Sequence, residues 1–137
     1  MPGMDAARSY AQLRQHEAAA PKMLYAVDAH CTPGSPVADV AALTVLASAA
    51  VEGGGGHVLD TSHVVFPNGA ITLVLILAES HLSIHTWPEE NLIAVDLFSC
   101  GAIDGQAVLD TLVASLRLTR VTVRTVARGV AAPETSG

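Results

Sequence analysis

The 137 residues carry a formal charge of −6, and half the side chains are apolar while 15% are charged and 4% aromatic. A chain of this length suits one domain around one core built mainly from Val, Leu, Ile and Ala, which excludes disorder throughout. Seven Lys and Arg scattered along it make no basic patch that could displace counterions from a phosphate backbone, and the longest apolar runs, Ala41 to Val51 and Ala70 to Ala78, fall well short of the ~20 residues of a membrane span, so neither nucleic acid nor membrane is an expected partner.

Residues 1 to about 20 show no apolar face and read as a mobile or loosely helical extension, ahead of a domain over 21–127 and a tail over 128–137. Met23 to Val27 predicts a strand, closed by a polar turn that contains Pro33 and Gly34. Ser35 and Pro36, with Asp39 in the first turn, open a helix in which Val40, Leu43, Ala47 and Ala50 recur at helical spacing. Gly53 to Gly56 end it; because this run follows a helix and lacks the Lys-Ser/Thr of a P-loop, it reads as a flexible connector and not as a phosphate cradle.

From His57 the pattern turns strand-like. His57 to Phe66, a Pro67-Asn68-Gly69 turn and Ala70 to Ala78 predict one hairpin, and His81 to Thr86 with Leu92 to Ser99 predict a second around Pro88 to Asn91. Asp104 is a plausible N-cap for a helix that aligns Val108, Leu112 and Leu116 on one face, with Arg117 near its end, and Arg120 to Val126 supplies a closing strand. Helices gathered on one face of a mostly antiparallel sheet make an α+β, two-layer sandwich. Two cysteines, Cys31 and Cys100, with no signal-peptide pattern, point to a cytoplasmic setting.

The stretch that carries chemistry is A-E-S-H-L-S-I-H-T-W-P-E, Ala78 to Glu89, followed by D-L-F-S-C-G, Asp96 to Gly101. Together these blocks resemble the bacterial and archaeal type of S-adenosylmethionine decarboxylase, a family made as proenzymes that cut themselves before the serine of Glu-Ser-His. The resemblance is strong over Thr72 to Gly101 and weaker over the flanks. Decarboxylation leaves a carbanion that no common side chain can delocalise, whereas a ketone at a chain terminus can accept the electrons.

The resemblance implies that Ser80 attacks the Glu79 carbonyl, that the ester eliminates, and that hydrolysis leaves a pyruvoyl cofactor on residue 80 with release of ammonia. It assigns His85 as proton acceptor in processing and Thr72 as the hydroxyl assisting that step. In turnover, a cationic substrate of amino-acid type condenses with the pyruvoyl carbonyl to form a Schiff base, carbon dioxide leaves, and Cys100 returns a proton. The product serves spermidine and other polyamine synthesis. Phe66, six residues before Thr72, is the candidate for stacking on the substrate, Glu79 is assigned to processing and to substrate contact, and the active form is expected to be a homodimer of cleaved αβ protomers.

Against the usual F-x-P-x-G-V-S/T of the family this chain reads F-P-N-G-A-I-T, Phe66 to Thr72, and where the family's first strand shows G-x-H it has Pro21-Lys22-Met23. These departures touch substrate recognition, and leave arginine or ornithine as alternative substrates. Singly, Cys100 reads as a small buried hydrophobe and His81 and His85 as hydrogen-bonded structural histidines; their joint occurrence favours catalysis. Trp87 reads as packing beside Pro88 more readily than as a stacking platform. A metal site from His57, His63, His81, His85 and Asp96 is the rival of another class, but on a strand His81 and His85 stand roughly 13 Å apart at ~3.3 Å per residue, too far for one ion. A member that folds without processing is a third reading. Five steps along an unbroken strand also set Ser80 and His85 on opposite faces, which calls for a bend near Ser80.

Overall fold

The computed structural model describes residues 21–101 and 103–129; the extension expected over 1–20 and all but the start of the expected tail lie outside them. Six strands and two helices follow in the order β1 (Lys22–His30), α1 (Val40–Gly53), β2 (Val58–Val65), β3 (Ile71–Leu77), β4 (Ser80–Trp87), β5 (Leu92–Cys100), α2 (Gly105–Ser115) and β6 (Thr119–Arg128). Short 3-10 turns, Pro36–Ala38 and Pro88–Glu90, precede α1 and β5. The strands form one sheet in the order β2-β3-β4-β5-β1-β6, every neighbour antiparallel.

Period-two alternation decides which face is covered. Ile71, Leu73, Leu75 and Leu77 of β3, Leu82 and Ile84 of β4, and Ile93, Val95 and Leu97 of β5 are buried. They form one core with Leu43, Ala47, Ala50 and Val51 of α1 and Val108, Leu109 and Leu112 of α2. Each fully buried Leu or Ile contributes roughly 1.5–3 kcal/mol, so this layer carries the stability of the domain. The intervening residues, Thr72, Val74 and Ile76 on β3, His81, Ser83 and His85 on β4, and Ala94, Asp96 and Phe98 on β5, stand on the other face, which neither described helix covers. The two-layer α+β sandwich expected from the element order is the fold observed.

The helix starts refine the expectation. Asp39 is itself the N-cap of α1, its carboxylate accepting from the amides of Ala41 and Ala42, while Ser35 opens the 3-10 turn before it. Ser35 also donates its hydroxyl to the Leu116 carbonyl at 2.6 Å, tying that turn to the end of α2. Asp104 caps α2 through the amide of Ala107, as its position suggested. The glycine connector is less free than its composition implies. A Cβ on Gly54 would meet Val108 at 2.5 Å, and one on Gly56 would meet Val51 at 2.6 Å and Ile103 at 2.9 Å. These glycines let the chain pass through a gap with no room for a side chain.

The largest departure is at the centre of the sheet. β3 and β4 pair directly, Thr72 opposite His85 through Leu77 opposite Ser80, and only Ala78 and Glu79 join them. Two hairpins were expected and three are present, in a β2-β3-β4-β5 meander. The pattern concealed the middle turn because Ala-Glu carries none of the Gly, Asn or Asp residues that mark a two-residue loop.

Candidate active site at two ends of one sheet

The two-residue turn places the Glu79–Ser80 bond at a hairpin corner. Such loops are favoured when the first or both loop residues adopt a positive φ, yet neither Ala78 nor Glu79 does, and the positive value falls on Ser80 instead, at 154°. An L residue held there stores on the order of 1–3 kcal/mol of strain. The bend or bulge called for near Ser80 does not appear as a bulge: β4 pairs with β3 from Ser80 and with β5 from His81 without a register shift, and what departs at the strand's first residue is the φ of Ser80.

Glu79 is fully buried, at 0% exposure. Its Oε1 accepts the backbone N–H of His57 at 2.9 Å and its Oε2 lies 2.6 Å from His57 Nδ1. The carbonyl of His57 in turn accepts the amide of Ala78 at 2.9 Å. Cys100 closes this end of the sheet: it is the last residue of β5 and buried. The register that sets His81 opposite Phe98, continued one step, sets Ser80 opposite Ser99 and next to Cys100. Ser80 and Cys100 thus stand at the same end of the adjacent strands β4 and β5, with Glu79 in the turn before Ser80.

Thr72 and His85 are brought together elsewhere. They face each other across β3 and β4, with Thr72 Oγ1 3.2 Å from His85 Nδ1. An open cleft beside them is lined by Phe66, Asn68, Ala70 and Trp87. Phe66 and Trp87 are 46% and 39% exposed, and the Trp87 ring lies 6.2 Å from that of His85 at 32°. Trp87 stands at the end of β4, directly before the Pro88–Glu90 turn, with its ring partly exposed. Asn68 Nδ2 donates to Glu89 Oε1 at 2.6 Å across the rim.

The two groups are not brought together with each other. Ser80 and His85 lie five residues apart on one straight strand, about 16 Å at ~3.3 Å per residue, and neither end of β4 folds back. The partners of Glu79 and Glu89, His57 and Asn68, were not foreseen in these roles. His57 stood only among candidate metal ligands, and Glu89 lay inside the informative motif without a role. Stacking of His81 on Phe98, 6.0 Å and 10° apart, was likewise invisible, because it joins positions seventeen residues apart. His81 and His85 both lie on β4, not on the helix that a His-x-x-x-His chelate needs. Cys31 lies near the Trp87 end of β4, its amide donating to the Asn91 carbonyl at 2.8 Å, and burial raises its thiol pKa.

A family model described as S-adenosylmethionine decarboxylase matches residues 23–129. The chain belongs to the S-adenosylmethionine decarboxylase family. It is 39% identical over 77 residues to the S-adenosylmethionine decarboxylase proenzyme 2 of Bacillus anthracis, covering 56% of this chain and 63% of that one. The stretch matched thus spans less than two thirds of that relative. The proenzyme of Pyrobaculum arsenaticum is 36% identical over 73% of this chain and 78% of its own. A crystal structure of the adenosylmethionine decarboxylase from Aquifex aeolicus superposes with a TM-score of 0.68 at 27% identity, covering 86% of this chain and 98% of that one. Membership reaches from β1 to the end of β6, so both ends of the sheet fall within the part shared with the decarboxylase family.

Proposed function

We propose that this chain is a proenzyme that cuts itself between Glu79 and Ser80, and that the cut form is a pyruvoyl-dependent decarboxylase acting on S-adenosylmethionine. The observation that carries the reading is the positive φ of Ser80 at a two-residue turn, beside a buried Cys100. Strain at the bond to be broken lowers the barrier to breaking it, and a serine at residue 80 is the chemical precursor of the keto group.

In the first step the Ser80 hydroxyl adds to the Glu79 carbonyl carbon, the amide C–N bond breaks, and an ester joins the two residues while the amine of residue 80 is freed. A base then removes the Ser80 α-proton and the Glu79 carboxylate leaves. Water replaces the nitrogen and ammonia departs. His85 is assigned the proton and Thr72, in contact with its ring, the hydroxyl that steadies the oxyanion or ester. The pyruvoyl group so formed supplies an electron sink for the pair left when carbon dioxide departs. Cys100, at the same end of the sheet as residue 80, is assigned the return of a proton to the carbon that lost it. Phe66 and Trp87 offer apolar rings for a heteroaromatic part of the substrate, and Glu79 contributes to processing and substrate contact.

The separation of Ser80 from His85 argues for a homodimer. The face opposite the two described helices exposes Ile76 at 47% and Val126 at 48% beside Val74, Ala94, Phe98, Leu24 and Ala26. Two such faces packed ~10 Å apart about a twofold axis bury this surface. They also set the Ser80 end of one copy against the Thr72–His85 end of the other, completing two sites. No described helix is long and apolar enough to cross a membrane, and the free thiols of Cys31 and Cys100 suit a reducing cytoplasm.

Mass spectrometry of the purified protein tests the first half: fragments 1–79 and 80–137 are expected, the second blocked to Edman sequencing. One intact chain that nevertheless releases carbon dioxide would refute the mechanism. Offering S-adenosylmethionine, arginine and ornithine separately tests the second half, with carbon dioxide expected from the first and its release only from arginine or ornithine overturning the substrate.

A further inference from the structure

We infer that His57 is a positioning residue for self-cleavage: its three hydrogen bonds to Ala78 and Glu79 hold the turn in the shape that forces the strained dihedral onto Ser80. The inference rests on the reading that residues 79 and 80 are the cleavage point.

A two-residue loop made of Ala and Glu has no intrinsic reason to keep its positive φ outside the loop. Left to itself it would relax, either by widening the turn or by frayed pairing at Leu77 and Ser80, because each route relieves strain on an L residue. Something must hold residues 78 and 79, and the contacts that do so come from one residue. The His57 carbonyl accepts from the Ala78 amide at 2.9 Å, the His57 amide donates to Glu79 Oε1 at 2.9 Å, and the imidazole meets Glu79 Oε2 at 2.6 Å. With the carboxylate ionised, Nδ1 carries the proton. Both oxygens of a fully buried acid are thereby satisfied on one side, which fixes the direction of the Glu79 side chain and of the carbonyl that Ser80 is to attack.

The clamp is itself on a fixed base. Gly56, the residue before His57, donates its amide to the Val51 carbonyl at 2.9 Å and threads between Val51 and Ile103 where no Cβ fits. The strand entry at His57 is therefore locked to the end of α1. The side chain of His57 is half exposed whereas that of Glu79 is not exposed at all, so a histidine with a solvated edge guides a carboxylate that water does not reach. Charge-assisted hydrogen bonds of this kind are short and directional. Glu79 belongs to the proposed processing machinery; His57 acts through it, by its hydrogen bonds to Ala78 and Glu79.

Processing is followed by denaturing electrophoresis and mass spectrometry after synthesis of the full chain in a cell-free system, with thermal melting recorded alongside. His57→Ala is expected to slow cleavage about tenfold or more, the rate equivalent of one lost charge-assisted hydrogen bond. His57→Asn, whose amide nitrogen can stand where Nδ1 stood, is expected to restore the rate to within about threefold of the parent, and His57→Gln, whose amide reaches the Nε2 position instead, is not. In a Glu79→Ala background the same His57→Ala change should add less than about twofold, because the interaction it removes is already gone. Cleavage of His57→Ala at the parent rate overturns the inference, as do equal rates for the Asn and Gln variants. If His57→Ala does not fold, the Asn and Gln pair decides alone. A parent chain that never cleaves instead defeats the processing reading on which the inference rests.

Discussion

The two ends of β4 differ in what holds their reactive groups. At the Ser80 end the residues are buried and constrained: Glu79 is clamped by His57, Cys100 is enclosed, and Ser80 carries a positive φ. At the His85 end the groups are half-buried around an open cleft, linked by one 3.2 Å contact between Thr72 and His85. On the proposed reading, the first end holds the bond to be cut and the second admits a molecule and moves a proton. About 16 Å of strand lies between them, and on the proposed reading a second copy brings the two ends together.

The sharpest way to break this comparison is to divide the two ends between two chains. His85→Ala alone is expected to lower the cleavage rate by about 10²–10⁴-fold, the usual worth of a positioned acid-base group, and Ser80→Ala to abolish it. Co-expressed, the two variants should regain one intact site per mixed dimer, visible as cleavage of the His85→Ala chain only. No cleavage in the mixture would place both ends of the site in the same copy. Cys100→Ala should come next in size, reducing turnover by about 10²-fold while fragments 1–79 and 80–137 still appear; loss of cleavage as well would assign Cys100 to processing.

Ile76→Glu sharpens the comparison from the surface side. The residue is exposed in one copy, so the fold should stand, while a charge directed into the proposed interface costs several kcal/mol. Sedimentation should show monomers, with cleavage lost in parallel; an unaltered dimer would move the interface elsewhere. The smallest effect concerns Cys31, which lines a pocket with Thr86 and Trp87 beside the His85 end. Burial raises its pKa, so at pH 7–8 less of it is thiolate than for a free cysteine, and alkylation should be slow and should speed up as pH rises. Rapid labelling at pH 7 would contradict that environment.

Much of this molecule was legible in the sequence because the relevant signals are local. Alternation along Ile71 to Leu77 and Ile93 to Leu97 marks the covered face, and Asp104 marks a helix start by a hydrogen bond three residues long. Glu79-Ser80-His81 and the block around Cys100 name the chemistry through a resemblance, and that residue pattern lies close together along the chain. What stayed hidden depends on distance in space. The Ala78–Glu79 turn carries no turn-forming residue, so a continuous apolar-to-polar run masked the corner. The pairing of His57 with Glu79 spans 22 positions, and Gly54 and Gly56 are needed because of Val108 and Ile103, far along the chain. Asn68 and Glu89 meet only because two loops end at the same side of the sheet.

The strand order has a mechanical consequence for a chain severed at residue 79. The leading piece owns β1, β2 and β3 and the trailing piece β4, β5 and β6, yet the sheet runs β2-β3-β4-β5-β1-β6. A strand of the first piece is slotted between two strands of the second, and the seam at β3 and β4 adds another shared edge. The halves are dovetailed, so pulling them apart requires opening three ladders at once, and a nicked molecule keeps its shape with no covalent link between its parts.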